Sequence, residues 1–190
     1  MHLLSSNPKK LEEYSRYGLT LEMREGQDLP EVDGNIEEIA LYKAQMAGVG
    51  AVVEDTVVIV DGAIWNDIKW KKHLLPHFHG KPIVQVITLG HNTGTHIELY
   101  QARLEGIITT PTAERAEAFG FDAYLIPVGE TLSLDELEQL NRKDEYSPRR
   151  WAAEALKQRQ PLSVTHLDDI PQWSGAWQDA ETSLSVKIKM

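Results

Sequence analysis

Residues 51–60 read AVVEDTVVIV, an apolar strand-like run with Glu54, Asp55 and Thr56 set in its middle. Val52, Val53, Val57, Val58, Ile59 and Val60 belong in a core, and a buried strand does not ordinarily carry two adjacent carboxylates. A carboxylate taken out of water must be neutralised, paired or bound to a metal, because its unpaired burial is too costly for a fold to carry. Successive side chains of a strand point to opposite faces, so a regular strand turns at most one of the two acids toward any single site. The plainer alternative is a strand ending at Val53, with Glu54-Asp55 as its solvated turn. Other features of the chain favour a metal-binding carboxylate.

At 190 residues the chain fits one domain, or one domain with an appendage, and can bury a substantial core. Its net charge of −10 argues against general nucleic-acid binding, which needs a basic face. A single nucleotide held by a few placed cations and a divalent metal remains compatible with that charge. The absence of cysteine excludes disulfides and thiolate metal sites and fits a reducing compartment. No stretch is long and apolar enough to span a bilayer, and MHLLSSNPKK lacks the apolar region of a signal peptide. The expected location is the cytoplasm, with no membrane partner.

Strand and helix signals alternate along the chain, which indicates an α/β domain. His2–Ser5 reads as a short strand. Asn7-Pro8 then opens a helix to about Tyr17, with Asn as cap and Pro in the first turn. Leu19–Glu25 reads as a second strand, Pro30–Asn35 as a loop, and Glu37 to about Ala47 as a helix ended by Gly48 and Gly50. Beyond 51–60, Asn66–His77 reads as helical. Ile83–Leu89 and Thr95–Leu104 form a hairpin joined by the HNTG turn, His91–Gly94. Tyr124–Ile126 reads as a short strand, and Leu134–Leu140 and Arg149–Gln158 as helices. Residues 159–190 differ in character, carrying two prolines, Trp173, Trp177 and a terminal SLSVKIKM that fits an edge strand. The expected division is a domain over residues 1–158 and a C-terminal appendage over 159–190.

Four segments could carry chemistry. Ser5-Ser6-Asn7-Pro8-Lys9-Lys10 lies at a strand-to-helix junction, where free N–H groups and the helix dipole favour an anion. An Asn cap with solvated lysines is the plain alternative, although cations in a first turn oppose the dipole. In the helix near Glu38, Lys43 falls on the face of Ile36, Ile39, Ala40 and Ala47 that should be buried. It either snorkels outward or reaches into a cleft. Phe119-Gly120-Phe121-Asp122 offers an aromatic for stacking and a carboxylate for a base edge, or simply closes the core. Lys143 to Arg150 contains Ser147-Pro148, a helix start beside Arg149, which suits bidentate phosphate contact. His73, His77 and His79 form a rival cluster for zinc, but Pro76 weakens the helix they need and no fourth ligand lies nearby.

Taken in order, these segments resemble the inosine triphosphate pyrophosphatase (Ham1-like) family of house-cleaning nucleoside triphosphatases. The S/T-x-N-x-x-K opening resembles Ser5 to Lys10, and the E-x-x-x-x-K-A helix resembles Glu38 to Ala44. The E/D-D-S/T signature resembles Glu54-Asp55-Thr56, F-G-aromatic-D resembles Phe119 to Asp122, and K-x-x-x-S-x-R resembles Lys143, Ser147 and Arg149. The likeness covers roughly residues 1–158, and five ordered motifs are more specific than any one.

The resemblance implies an elongated central mixed β-sheet with flanking helices, forming two lobes around a deep nucleotide cleft, in a homodimer. It implies Mg²⁺-dependent hydrolysis of deaminated purine nucleoside triphosphates to the monophosphate and pyrophosphate. Under it, Glu38 and Asp55 hold the metal, and Asp55, Glu54 and Lys10 are catalytic, with Asp55 the base for the attacking water. Ser5, Asn7, Lys10 and Lys43 surround the triphosphate, while Phe121, Asp122, Lys143, Ser147 and Arg149 line the base pocket. The family's S-H-R, D-P and G-x-P-G elements appear here as Ser147-Pro148-Arg149, Asp122-Ala123 and Gly62-Ala63-Ile64-Trp65. The departures fall on base recognition rather than on the acids. Two alternatives remain: a nucleotide-binding protein of the same fold with weakened turnover and changed base preference, and a zinc-binding structural protein.

Overall fold

The computed structural model describes residues 1–5, 7–24, 29–66, 68–112, 115 and 120–178. The strands are β1 (His2–Leu4), β2 (Glu22–Arg24), β3 (Ala51–Val60), β4 (Ala63–Trp65), β5 (Pro82–Asn92), β6 (His96–Ile108), β7 (Leu125–Pro127) and β8 (Ser163–His166). The helices are α1 (Pro8–Arg16), α2 (Ile36–Ala47), α3 (Ile68–Lys71), α4 (Leu134–Gln139) and α5 (Pro148–Gln158). Among the described residues the strands hydrogen-bond in the order β2-β1-β3-β5-β6-β7, with β4 on β3 and β8 on β6. The sheet is mixed: β1 runs parallel to β2 and β3, whereas β3–β4, β6–β7 and β6–β8 are antiparallel.

The chain forms two compact units. The first comprises Met1–Asp55, Ile87–Ala102 and the described residues from Arg149 onward; the second comprises Thr56–Val86 and Arg103–Pro148. In the first unit, apolar side chains gather in two clusters that take alternate residues of β3. Val52 packs with Leu3, Tyr14, Tyr17, Ala152, Ala153 and Leu156, which bring in α1 and α5. Val53 packs with Ile39, Ala40, Ala44 and Ile97, which bring in α2. The period-2 alternation of a strand thus assigns neighbouring side chains to different helix layers.

Local sequence explains the helix ends that matter here. Asn7 caps α1, its side chain accepting the Lys9 N–H at 3.1 Å, with Pro8 at the first helical position. Asn35 and Glu38 form a reciprocal capping box on α2. Gly48, at φ 83°, ends α2 in a conformation that a Cβ would disfavour.

Several expectations shift. The strand expected from Leu19 begins at Glu22, and Glu25 lies outside the described residues, as do Ser6, Phe119 and the terminal SLSVKIKM. The expected helix over 66–77 is a short α3 followed by a 3-10 helix at Lys72–Phe78, because Pro76 supplies no N–H and crowds the preceding turn. The hairpin turn is Thr93–Thr95; His91 and Asn92 remain in β5. Two strands escape the sequence reading. β4 is three residues long, and β8 pairs His96–Leu99 of β6 through residues 163–166. No helix among the described residues is long and apolar enough to cross a membrane.

Candidate functional site

Glu54 and Asp55 lie within β3, not in a turn after it, and both are buried. Being adjacent, they face opposite sides of the strand and meet different partners. Glu54 shares the face of Val52 and looks toward α1 and α5. Asp55 shares the face of Val53 and looks toward α2.

Glu54 is surrounded by donors. Arg149 of α5 donates from Nε to Oε2 and from Nη2 to Oε1, each at 2.8 Å. Lys10 of α1 places Nζ 3.2 Å from Oε1, and the Tyr14 hydroxyl donates to Oε2. Arg149 also donates from Nη1 to Glu13. Burial by itself raises a carboxyl pKa, but the guanidinium of Arg149 and then the ammonium of Lys10 outweigh it. Glu54 is held well below the usual carboxylate range. Tyr14 is pushed up by burial and by the Glu54 charge, so it remains a donor.

Asp55 has a looser environment. Lys43 Nζ lies 3.6 Å from its Oδ1, beyond hydrogen-bond length, because the same ammonium sits 2.5 Å from Glu31 Oε1. The pair is therefore not symmetric. Burial lowers the Lys43 pKa, but two carboxylates override it and the ammonium is held charged. Asp55 shares its cation with Glu31. Burial raises it to about 6, with Glu31 and Glu54 adding to the rise and Lys43 and Lys10 opposing it. Two neighbouring carboxylates are thus pushed apart: Glu54 is a fixed anion, and Asp55 is poised to take or release a proton near neutrality. Lys43 neither snorkels to solvent nor stands free.

The remaining candidates fall into place individually. The Ser5 hydroxyl accepts the Asn7 N–H at 3.1 Å, so Ser5 and Asn7 shape the junction into α1 beside Lys10. Glu38 accepts the Asn35 N–H through Oε2 at 2.8 Å. In the second unit, Lys143 Nζ pairs with Asp122 Oδ2 at 2.7 Å, both side chains being buried. Phe121 and Ser147 are also buried. Lys143 answers Asp122, whereas Arg149 answers Glu54 and Glu13. His79 meets Thr110 at 3.2 Å, and among the described residues no group of three or more His, Cys, Asp or Glu is placed to hold a metal.

The sequence reading did not single out Glu13, Tyr14 or Glu31. Lys10, Glu13 and Tyr14 stand at i, i+3 and i+4 of one helix, so they share a face, and that spacing was the available signal. Glu31 lies outside any helix or strand, where no periodicity marks it.

No protein-family model and no curated protein matches the chain. Among solved structures it is similar to the Ham1 protein of Staphylococcus aureus, at 16% sequence identity and a TM-score of 0.57, over 84% of this chain and 97% of that one. The mixed sheet, its flanking helices and this likeness together establish that the chain has a Ham1-like α/β fold.

Proposed function

We propose that the protein is a nucleoside-triphosphate pyrophosphohydrolase, cleaving its substrate to the nucleoside monophosphate and pyrophosphate. The observation that supports this most directly is the divided acid pair on β3, Glu54 fixed as an anion and Asp55 pushed up to about 6. In the metal-free protein an acid with that value exchanges a proton near neutral pH, and as a carboxylate it can take one from water, as a general base must. Water oxygen then bonds to phosphorus while its proton passes to Asp55, and the bridging P–O bond breaks with its electron pair leaving on pyrophosphate. Lys10, at the start of α1, and Lys43 would offset phosphoryl charge, and the N–H groups of the α1 N-terminus would add to them.

Magnesium takes one or two carboxylates and completes its shell with substrate phosphates and water, so a three-acid cage is not required. Asp55 fits that role through its loose 3.6 Å contact with Lys43. Glu38, whose Oε2 accepts the Asn35 N–H in the capping box, would be the second carboxylate. Bound there, the metal would neutralise phosphate charge and sharpen the electrophile. A homodimer acting on deaminated purine nucleotides in the cytoplasm is part of the same proposal, and it rests on the family likeness.

The test is product identification. The protein is incubated with magnesium and a panel of nucleoside triphosphates, alongside Asp55→Asn. Monophosphate and pyrophosphate from the native protein, and far slower release of both from the variant, are expected. Release of diphosphate and orthophosphate contradicts the reading. Tight binding of triphosphates without turnover favours a binding protein of the same fold instead.

A further inference from the structure

We infer that residues 170–178 form a clasp that positions Glu31, and through it Lys43, for an incoming triphosphate; this rests on the proposed triphosphate site. The segment before α2 finds backbone partners in this tail. The Asp33 N–H donates to the Ala176 carbonyl at 2.9 Å, and the Gln178 N–H donates to the Glu31 carbonyl at 2.8 Å. Val32 and Trp177 form an antiparallel bridge between these bonds. The Gln178 side chain adds a bond from Nε2 to the Val32 carbonyl at 2.9 Å.

Trp173 seats the clasp. Its ring meets the Tyr42 ring of α2 edge to face, with centroids 5.1 Å apart, and its Nε1 donates to the Ala176 carbonyl at 2.8 Å. The Tyr42 hydroxyl donates to the Pro171 carbonyl at 2.9 Å. Two glycines leave room for the indole: a Cβ on Gly34 would lie 3.2 Å from Trp173 Cη2, and one on Gly175 would lie 2.6 Å from Cζ2. Ile170 joins Val32 and Ile39 in a buried cluster. The tail therefore grips α2 and the segment before it at once.

That segment carries Glu31, whose Oε1 lies 2.5 Å from Lys43 Nζ, while the same ammonium stands 3.6 Å from Asp55. Residues 31–33 belong to no helix and contribute one isolated bridge, so what they bind sets their place. The Gln178 bond fixes the backbone from which the Glu31 carboxylate reaches. When the clasp opens, its N–H and C=O groups return to water at little cost, and residues 31–33 regain conformational freedom. Lys43 then loses the carboxylate that holds it off Asp55, closes on Asp55 and is withdrawn from an incoming phosphate. The affinity of the site for phosphates is set in part from beyond α5.

The chain has no cysteine, so redox state can open and close the clasp in one variant. Trp173→Ala removes the seat. Val32→Cys and Trp177→Cys, added to it, stand at a non-hydrogen-bonded antiparallel pair, where Cα atoms lie about 4.5 Å apart and a disulfide fits. Binding of inorganic tripolyphosphate with magnesium is measured by calorimetry on the native chain and on both redox forms of the triple variant. The temperature is one at which circular dichroism shows every form folded, so a loss of stability alone does not move the dissociation constant. The reduced form is expected to bind about tenfold more weakly than the native chain, the size of one misplaced charge-assisted contact. The oxidised form is expected to recover most of that loss. Native affinity in the reduced form overturns the inference. So does a loss that oxidation leaves in place, because closing the clasp would then not restore the site.

If the triple variant does not fold, amide hydrogen exchange on the native chain takes its place. A clasp that favours binding is favoured by binding in turn. The Asp33 and Gln178 amides are therefore expected to exchange more slowly with magnesium tripolyphosphate bound. Unchanged exchange at both, with binding shown by calorimetry, overturns this inference alone. A native chain that binds neither tripolyphosphate nor a nucleoside triphosphate overturns the proposed function as well.

Discussion

Arg149 grips Glu54 through two parallel hydrogen bonds of 2.8 Å, joining the start of α5 to the middle of β3 across 95 positions of sequence. Removing one partner leaves the other charge buried, which costs about 3–5 kcal/mol. Glu54→Gln and Arg149→Met are each expected to destabilise the fold by roughly that amount in urea unfolding. The double variant strands no charge between them and is expected to fall short of the sum by about 1 kcal/mol or more. Strict additivity would show that the fork is not a coupled unit.

Tyr14 donates its hydroxyl to the same carboxylate from α1. Tyr14→Phe keeps the ring in its cluster of buried side chains and deletes only that donor. Hydrogen bonds to charged groups contribute about 1.5–3 kcal/mol, so the variant is expected to lose that much stability with its helix content intact. Circular dichroism alongside the unfolding curve checks both parts.

Asp55 makes the acid side of the pH profile readable. Its folded value, raised from 3.8 to about 6, means that the folded protein holds an extra proton between those limits. Asp55 therefore makes the fold less stable as pH rises through that window. Glu54 acts in the opposite sense, its depressed value giving stability that is lost as pH falls. Carbon-detected NMR of metal-free protein is expected to show the Asp55 carboxyl titrating near 6. Added magnesium should move it downward, because a nearby cation favours the carboxylate. An upward movement, or none, would separate Asp55 from the metal.

Turnover should follow the same group. Asp55→Asn removes the proposed base and is expected to lower kcat by about 10²–10⁴. Lys43→Met removes a proposed phosphate partner and frees Glu31 and Asp55 from their shared cation, so it is expected to raise KM more than it lowers kcat. Steady-state kinetics on the two variants distinguishes the roles.

How much of this was legible beforehand depends on the range of each interaction. The acid-bearing strand, the Asn7 start of α1, the helix near Glu37 (one residue later than α2 begins) and the buried placement of Lys43 all follow from neighbours within a few residues. Local spacing also puts Lys10, Glu13 and Tyr14 on one face. It could not show that Arg149 closes on Glu54, because that contact exists only once α5 has packed beside β3. β8 was hidden for a similar reason: SVTH is short and half-exposed, and becomes a strand by pairing with β6. The 3-10 segment at Lys72–Phe78 shows the reverse, a local helix pattern overruled by one proline.

Gly90 of β5 links packing to the site and gives the last expectation. A Cβ there would lie 2.8 Å from the Ala44 Cβ, 2.9 Å from the Ala40 carbonyl oxygen and 3.2 Å from the Val53 Cγ2. Backbone and short side chains cannot swing aside, so Gly90→Ala has to push α2 away from the strands. Such overpacking costs about 1–3 kcal/mol. Because α2 carries Lys43, the same displacement lengthens its 3.6 Å approach to Asp55. The variant is therefore expected to melt at lower temperature and to show a raised KM for the triphosphate at temperatures where it is fully folded. Native stability together with native KM would show that the α2–β5 contact yields without disturbing the site.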